Sequence, residues 1–192
     1  MKRLFPLAIT MCWIVSLFCL CGGCDQRQEI VMTPEGTFTP FYLRGKEIGR
    51  EYAEQALPDY KVVWNLHDVR TDLRDDFLDG FASGLGQADN VAACRRILRE
   101  ALTGNQFDSA SELGIKHAAR AVTNEQIQGT LHSSLGVSRG VALGWKAGYI
   151  KGYASQRLAD TAAAATVNES RIREFHAEAA ASYHALRAAI GP

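Results

Sequence analysis

No excess of either charge sign marks this chain: 21 Lys and Arg face 21 Asp and Glu over 192 residues, for a formal net charge of zero. Neutralising a phosphate backbone takes a basic surplus, so nucleic acid is excluded as the leading partner. Proline is scarce, at 5 residues, and beyond residue 24 there is no apolar run of about 20 residues, the length a spanning helix needs. Alternating strand patterns are also missing. Only Lys61-Val62-Val63-Trp64 reads as strand-like, and one strand makes no sheet. The five histidines, His67, His117, His132, His176 and His184, include no pair spaced four apart. His176 and His184 are two turns apart and offset by about 80°, so they do not chelate one ion together. The chain is nonetheless 47% hydrophobic, which argues against disorder, and its length suits one domain with a substantial core.

Residues 1–24 read MKRLFPLAITMCWIVSLFCLCGGC. Lys2 and Arg3 open the segment, an apolar stretch runs from Leu4 to Cys21, and Gly22-Gly23-Cys24 closes it. A positive start, an apolar middle and small residues at the cut form the layout of a secretory signal. Its end resembles the lipobox of bacterial lipoproteins, in which small residues precede an invariant cysteine. The departure is Cys21, where Leu is usual; Cys21 itself is a poorer acceptor, because bulky Leu20 precedes it. The resemblance implies removal of residues 1–23 and attachment of diacylglycerol and palmitate to Cys24. It implies a bacterial envelope location facing the periplasm, with the membrane held through the N-terminal lipid. Asp25 resembles the inner-membrane sorting signal of enteric-type lipoproteins. Several acyl chains hold a protein on a bilayer far better than one. The alternative is an uncleaved membrane anchor; both place residues 25–192 outside the cytoplasm.

Processing changes the cysteine and charge arithmetic. Cys12, Cys19 and Cys21 depart with the signal and Cys24 carries lipid, so Cys94 is left without a disulfide partner. Val91, Cys94, Leu98 and Ala101 share one helical face, which reads Cys94 as a buried small hydrophobe rather than a reactive thiol. Losing Lys2 and Arg3 leaves 19 basic against 21 acidic residues, a net charge of −2.

Residues 24–39 read as a lipidated N-terminus and flexible tether, and residues 40–192 as one all-α domain of six or seven helices. Thr39-Pro40 opens a helix to about Leu57, which Pro58 stops. Further helices are expected from about Asp68 to Leu85 and from about Asp89 to Gly104. A long one covers about 135–164, and the last ends at Gly191. Capping-box patterns at Ser109-Ala-Ser-Glu112, Thr123-Asn-Glu-Gln126 and Thr166-Val-Asn-Glu169 mark three more starts. The last helix carries a narrow apolar stripe of Ile172, Phe175, Ala179, Tyr183, Leu186 and Ile190, suited to internal packing or to a partner.

Seventeen glycines would ordinarily signal loops, yet many fall inside helical patterns. Gly136, Gly140, Gly144, Gly148 and Gly152 recur every four residues, and Trp145, Tyr149 and Tyr153 form a ridge beside them. Gly45/Gly49 and Gly80/Gly84 repeat the step. Aromatic-x-x-Gly thus forms an internal repeat, spaced too unevenly for a regular solenoid. Each interior glycine costs a helix about 1 kcal/mol relative to alanine. Close helix–helix approach is the compensation that this pattern predicts. Steps of four residues drift about 40° each, so the ladder predicts two crossings along the long helix rather than one. A face for docking a partner protein, or a glycine zipper that perturbs membranes, are the alternatives.

Two motifs suggest chemistry. Asp75-Asp76-Phe-Leu-Asp79 resembles the D-D-x-x-D motif of isoprenoid synthases. With Asp72 it makes Asp72, Asp75, Asp76 and Asp79 the candidate cation face, against a solvated acidic face paired with Arg95, Arg96 and Arg99. Gly136-Val-Ser138-Arg-Gly140 matches the G-x-S-x-G elbow of α/β-hydrolases, with Asp160 and His176 or His184 following in order, but no strand precedes it. The leading expectation is a non-enzymatic protein-binding or envelope-assembly module. It needs no cofactor, its partner is another envelope protein, and no small-molecule substrate is evident. A cation-dependent enzyme is the runner-up.

Overall fold

The computed structural model describes residues 31–33, 36–86, 91–162 and 167–191. They fall into two compact units, one ending at Pro40 and one spanning Phe41–Pro192. In the first, β1 (Val31–Thr33) and β2 (Gly36–Phe38) pair antiparallel, Val31 opposite Phe38. A short ribbon therefore replaces part of the featureless tether. Cys24 and Asp25 lie outside the described residues.

The second unit is all-α. Among the described residues its helices are α1 (Pro40–Ala53), α2 (Asp59–His67), α3 (Arg74–Gly84), α4 (Val91–Ala101), α5 (Gln106–Ala118), α6 (Asn124–Leu135), α7 (Arg139–Ala162) and α8 (Glu169–Ile190). Several expected boundaries move. The strand-like Val62-Val63-Trp64 is helical within α2, where Val62, Val63 and Leu66 are buried. Packing overrides β propensity there, and the Trp64 indole N–H donates to the Ala147 carbonyl at 2.7 Å. Asp68 caps α2, and a 3-10 turn (Thr71–Leu73) separates it from α3. Ser109 is interior to α5, its amide bonded to the Asn105 carbonyl at 2.9 Å. The Thr123/Gln126 capping box forms as the pattern predicts. Thr166 lies outside the described residues, and Asn168 caps α8 by accepting from the Arg171 amide at 3.0 Å. Residues 131–135 belong to α6, so the long helix begins at Arg139, with Ser138 Oγ accepting from the Val141 amide at 3.1 Å.

The glycines lock the helices together. A Cβ on Gly144 would lie 2.8 Å from the Ala101 carbonyl carbon, and one on Gly140 would strike Glu100 of α4. On Gly148 it would lie 2.9 Å from the Phe107 carbonyl carbon of α5, and on Gly152 2.6 Å from that of Ser111. These are the two crossings that the 40° drift predicts: α4 on the first half of α7 and α5 on the second. Gly136 leaves the ladder; it caps α6, and nothing stands within 4 Å of its Cβ direction. Trp145 and Tyr149 are buried beside the ladder, Tyr183 of the α8 stripe packs on both, and Phe175, Ala179 and Leu186 of that stripe are buried too. The α8 stripe thus packs internally. Each such large side chain contributes about 1.5–3 kcal/mol on burial, which offsets the glycine cost.

The uneven repeat is a structural one, two copies of a three-helix unit. α1–α2–α3 and α5–α6–α7 make the same contacts, with α1 and α2 matching α5 and α6 at a 65-residue offset and α3 matching α7 at 68. Gly80 meets the Tyr42 carbonyl as Gly148 meets that of Phe107. Gly84 meets Lys46 as Gly152 meets Ser111, and Gly49 meets Phe81 as Gly114 meets Tyr149. Val62 and Leu66 of α2 are buried as Ile127 and Leu131 of α6 are. The turns match too. Among the described residues Gln55 and Arg120 are the non-glycine residues of positive φ, at 58° and 57°. The amides of residues 54, 55 and 56 bond carbonyls 50, 52 and 51; those of 119, 120 and 121 bond 115, 117 and 116.

Candidate functional site

A polar cleft lies where α5 ends and α6 begins, walled by α7 and α8, with a volume of about 400 Å³. That is within the usual range of small-ligand sites. Its position follows from the α5–α6 turn. Left-handed Arg120 reverses the chain, and the Thr123/Gln126 box starts α6 beside it. The turn contributes His117, Arg120 and Asn124, α7 contributes Tyr153 and Arg157, and α8 contributes Glu178.

Two hydrogen-bonded chains build the cleft. His117 Nδ1 lies 2.6 Å from the Tyr149 hydroxyl, which lies 2.8 Å from Ser182 Oγ. The Tyr153 hydroxyl donates to Glu178 Oε1 at 2.9 Å, and Arg157 Nε approaches the same oxygen at 3.3 Å. The Arg157 guanidinium also lies over the Phe175 ring, 5.5 Å from its centre. Burial pushes the His117 pKa down, opposed in part by a hydrogen bond with Asn124, so the imidazole is neutral at pH 7. Burial raises Tyr149 far above the ordinary phenol value, against the pull of Ser182. Burial raises Tyr153 as well, and its bond to Glu178 adds to the rise. Phenols held this firmly protonated are poor proton-transfer groups, and both hydroxyls are engaged within the protein, Tyr153 with Glu178 and Tyr149 with His117 and Ser182.

The first copy carries different residues at the matching positions. Tyr52 packs on Phe81, ring centres 5.8 Å apart, where His117 faces Tyr149 at 6.0 Å. Gln55 stands for Arg120, Asp59 for Asn124 and Leu85 for Tyr153. Where the first copy has an aromatic contact, the second has a hydrogen-bonded one.

The residues singled out from sequence are scattered relative to this cleft. Tyr153 lines it and Tyr149 is buried behind it, bonded to His117, while Trp145 and the glycines from Gly140 to Gly152 are packing elements. The acidic residues are not gathered. Asp72 pairs with Arg70 at 2.6 Å, Asp75 with Arg99 at 2.6 Å, and Asp79 with Arg95. Arg96 turns instead to Glu100 at 3.8 Å. Among the described residues no three His, Cys, Asp or Glu groups are placed to hold a metal ion, and Asp72, Asp75 and Asp79 of the candidate face each pair with an arginine. Ser138 starts α7 directly after a helix, so no nucleophile elbow forms. His176 packs edge-on against Trp64, 4.9 Å between centres, and His184 is exposed. Cys94 is half-buried on α4.

Sequence reasoning missed His117, Arg120, Arg157 and Glu178. Their one visible signal is Arg120 three residues before a capping box, where a turn must reverse the chain. No protein-family model, no curated protein and no solved structure matches this chain.

Proposed function

We propose that this chain is a lipid-anchored, non-enzymatic binding module of the bacterial envelope, with the cleft between α5 and α8 as its binding face. Cys24 carries the acyl chains, and Asp25 favours retention at the inner membrane. The observation that carries the binding reading is the polar cleft itself, with His117, Arg120, Arg157 and Glu178 gathered on helices whose backbones touch. Preorganised groups lose little entropy on binding. The partner is another envelope protein or a ligand that such a protein presents. The ladder glycines from Gly140 to Gly152 are consumed by internal packing, and no helix among the described residues is long and apolar enough to cross a membrane. These facts favour the binding reading over a membrane-perturbing glycine zipper.

Two experiments test it. Labelled palmitate enters the wild type and not Cys24→Ser, which leaves the membrane fraction; labelling of Cys24→Ser refutes the anchor. A photo-cross-linker at Ala118, on the cleft rim, captures a discrete envelope partner in cells, while one at Ala53, its counterpart in the first copy, does not. Equal capture at both positions refutes the cleft as the binding face.

A further inference from the structure

We infer that the cleft is an oxyanion site, receiving a carboxylate or phosphate group held by Arg120 and Arg157. The inference rests on the cleft being the binding face and names the ligand chemistry that this face takes.

Charge is the first ground. The charged groups of the lining are Arg120, Arg157 and Glu178, and His117 is neutral. Glu178 Oε1 is already shared by the Tyr153 hydroxyl and Arg157. No carboxylate pairs with Arg120 among the described residues. The cleft therefore keeps one net positive charge, with Arg120 exposed at its mouth and Arg157 half-buried. The α6 start adds the positive end of its dipole. The opposing end of α5 is muted, because the 115, 116 and 117 carbonyls accept from the amides of 119, 121 and 120.

The second ground is an unsatisfied donor. Arg157 Nε is buried and makes no aligned hydrogen bond; its contact with Glu178 is an ion pair only. Buried donors are nearly always satisfied. A guanidinium fixed at one edge and stacked on Phe175 offers its remaining N–H groups to a planar or tetrahedral oxyanion in fork geometry.

The third ground is the structural repeat. Left-handed backbone at the α5–α6 turn is demanded by the fold, since the first copy has it too, but there Gln55 serves. The turn dictates φ and does not dictate a guanidinium. Arg120, His117 and Tyr153 stand where the first copy has Gln55, Tyr52 and Leu85, and all three line the cleft.

The test uses the full chain with its lipid, in detergent, by titration calorimetry. The probes are inorganic phosphate, acetyl-dialanine with a free carboxylate, and the same dipeptide as its carboxamide. At least one oxyanion saturates at one per chain, and the carboxamide does not bind. Binding of phosphate alone assigns a free anion; binding of the carboxylate dipeptide assigns a peptide terminus. Arg120→Gln weakens binding at least tenfold with an unchanged melting temperature, because Gln55 already occupies that backbone geometry. Arg157→Lys, which keeps the charge and removes the fork, also weakens it. No saturable binding of either oxyanion, or equal binding by wild type and Arg120→Gln, overturns the inference. A silent titration beside a positive Ala118 cross-link removes the oxyanion assignment alone. A saturating titration beside a silent cross-link sustains the oxyanion assignment and removes the envelope-protein partner.

Discussion

Replacing Gly152 with Ala sets two known effects against each other. In an exposed helix interior the substitution gains about 1 kcal/mol of helix propensity. Here the new methyl would stand 2.6 Å from the Ser111 carbonyl carbon and nearer still to its oxygen. Carbon atoms rest about 3.5–4.0 Å apart, so α5 and α7 must separate by about 1 Å. Tyr149 is wedged in the same seam and Gly114 meets its backbone, so the movement loosens contacts along the whole crossing. Overpacking of a close-packed interior costs about 1–3 kcal/mol and more when backbone must move. Taking about 3 kcal/mol against the propensity gain leaves about 2 kcal/mol of net destabilisation. For a domain of this size that lowers the melting temperature by about 4–8 °C. Gly129 supplies the matched control: it is exposed in α6, and nothing stands within 4 Å of its Cβ direction. Gly129→Ala therefore raises the melting temperature by a few degrees. Thermal unfolding followed by circular dichroism measures both. If Gly152→Ala is stabilised as Gly129→Ala is, the backbone contact between α5 and α7 does not exist and the account of the ladder fails.

Three further outcomes follow from the same structure. His117 and His176 have pKa values pushed below the ordinary imidazole value by burial, so folding binds them unprotonated. Their stabilisation is full above about pH 6.5 and is lost as pH falls through their folded values; melting temperature should fall between pH 7 and 5, and His117→Gln with His176→Gln should flatten that slope. A wild type unchanged over that range contradicts the burial. Thr123→Ala and Asn168→Ala should each cost about 1 kcal/mol in urea denaturation, since both side chains cap helices. Ser109→Ala should cost nothing, because Ser109 is inside α5; a loss there equal to Thr123→Ala would place the α5 start four residues later. Gln55→Gly and Arg120→Gly should each gain up to about 1 kcal/mol by relieving left-handed strain, although Arg120→Gly should also lose oxyanion binding; destabilisation of both would show that the turns are held by side-chain contacts.

Much of the architecture was legible in the residues themselves. Helix type follows from apolar spacing, caps and punctuation, which act within a turn or two. The glycine step also carries distance information, since a glycine inside a helix is a cost that only close approach offsets. That reasoning reaches two crossings without naming the helices that make them. It fails at Val62-Val63-Trp64, where β-branched residues form a helix because α2 must bury Val62, Val63 and Leu66. It fails at Gly136 too, where the four-residue rhythm continues past the end of the helix that carries it.

The cleft was illegible for a different reason. His117, Arg120, Arg157 and Glu178 come from three segments separated by dozens of residues, and none stands in a motif. Uneven spacing also hid the structural repeat, because three extra residues before α7 break the register between the copies. The sequence by itself determined the helices, their caps and the need for backbone contact, all of which are local energies. Only the tertiary structure decided which carbonyl each glycine meets and which charges share a recess. Those depend on distances between residues far apart in the chain, and the sum of packed contacts sets those distances.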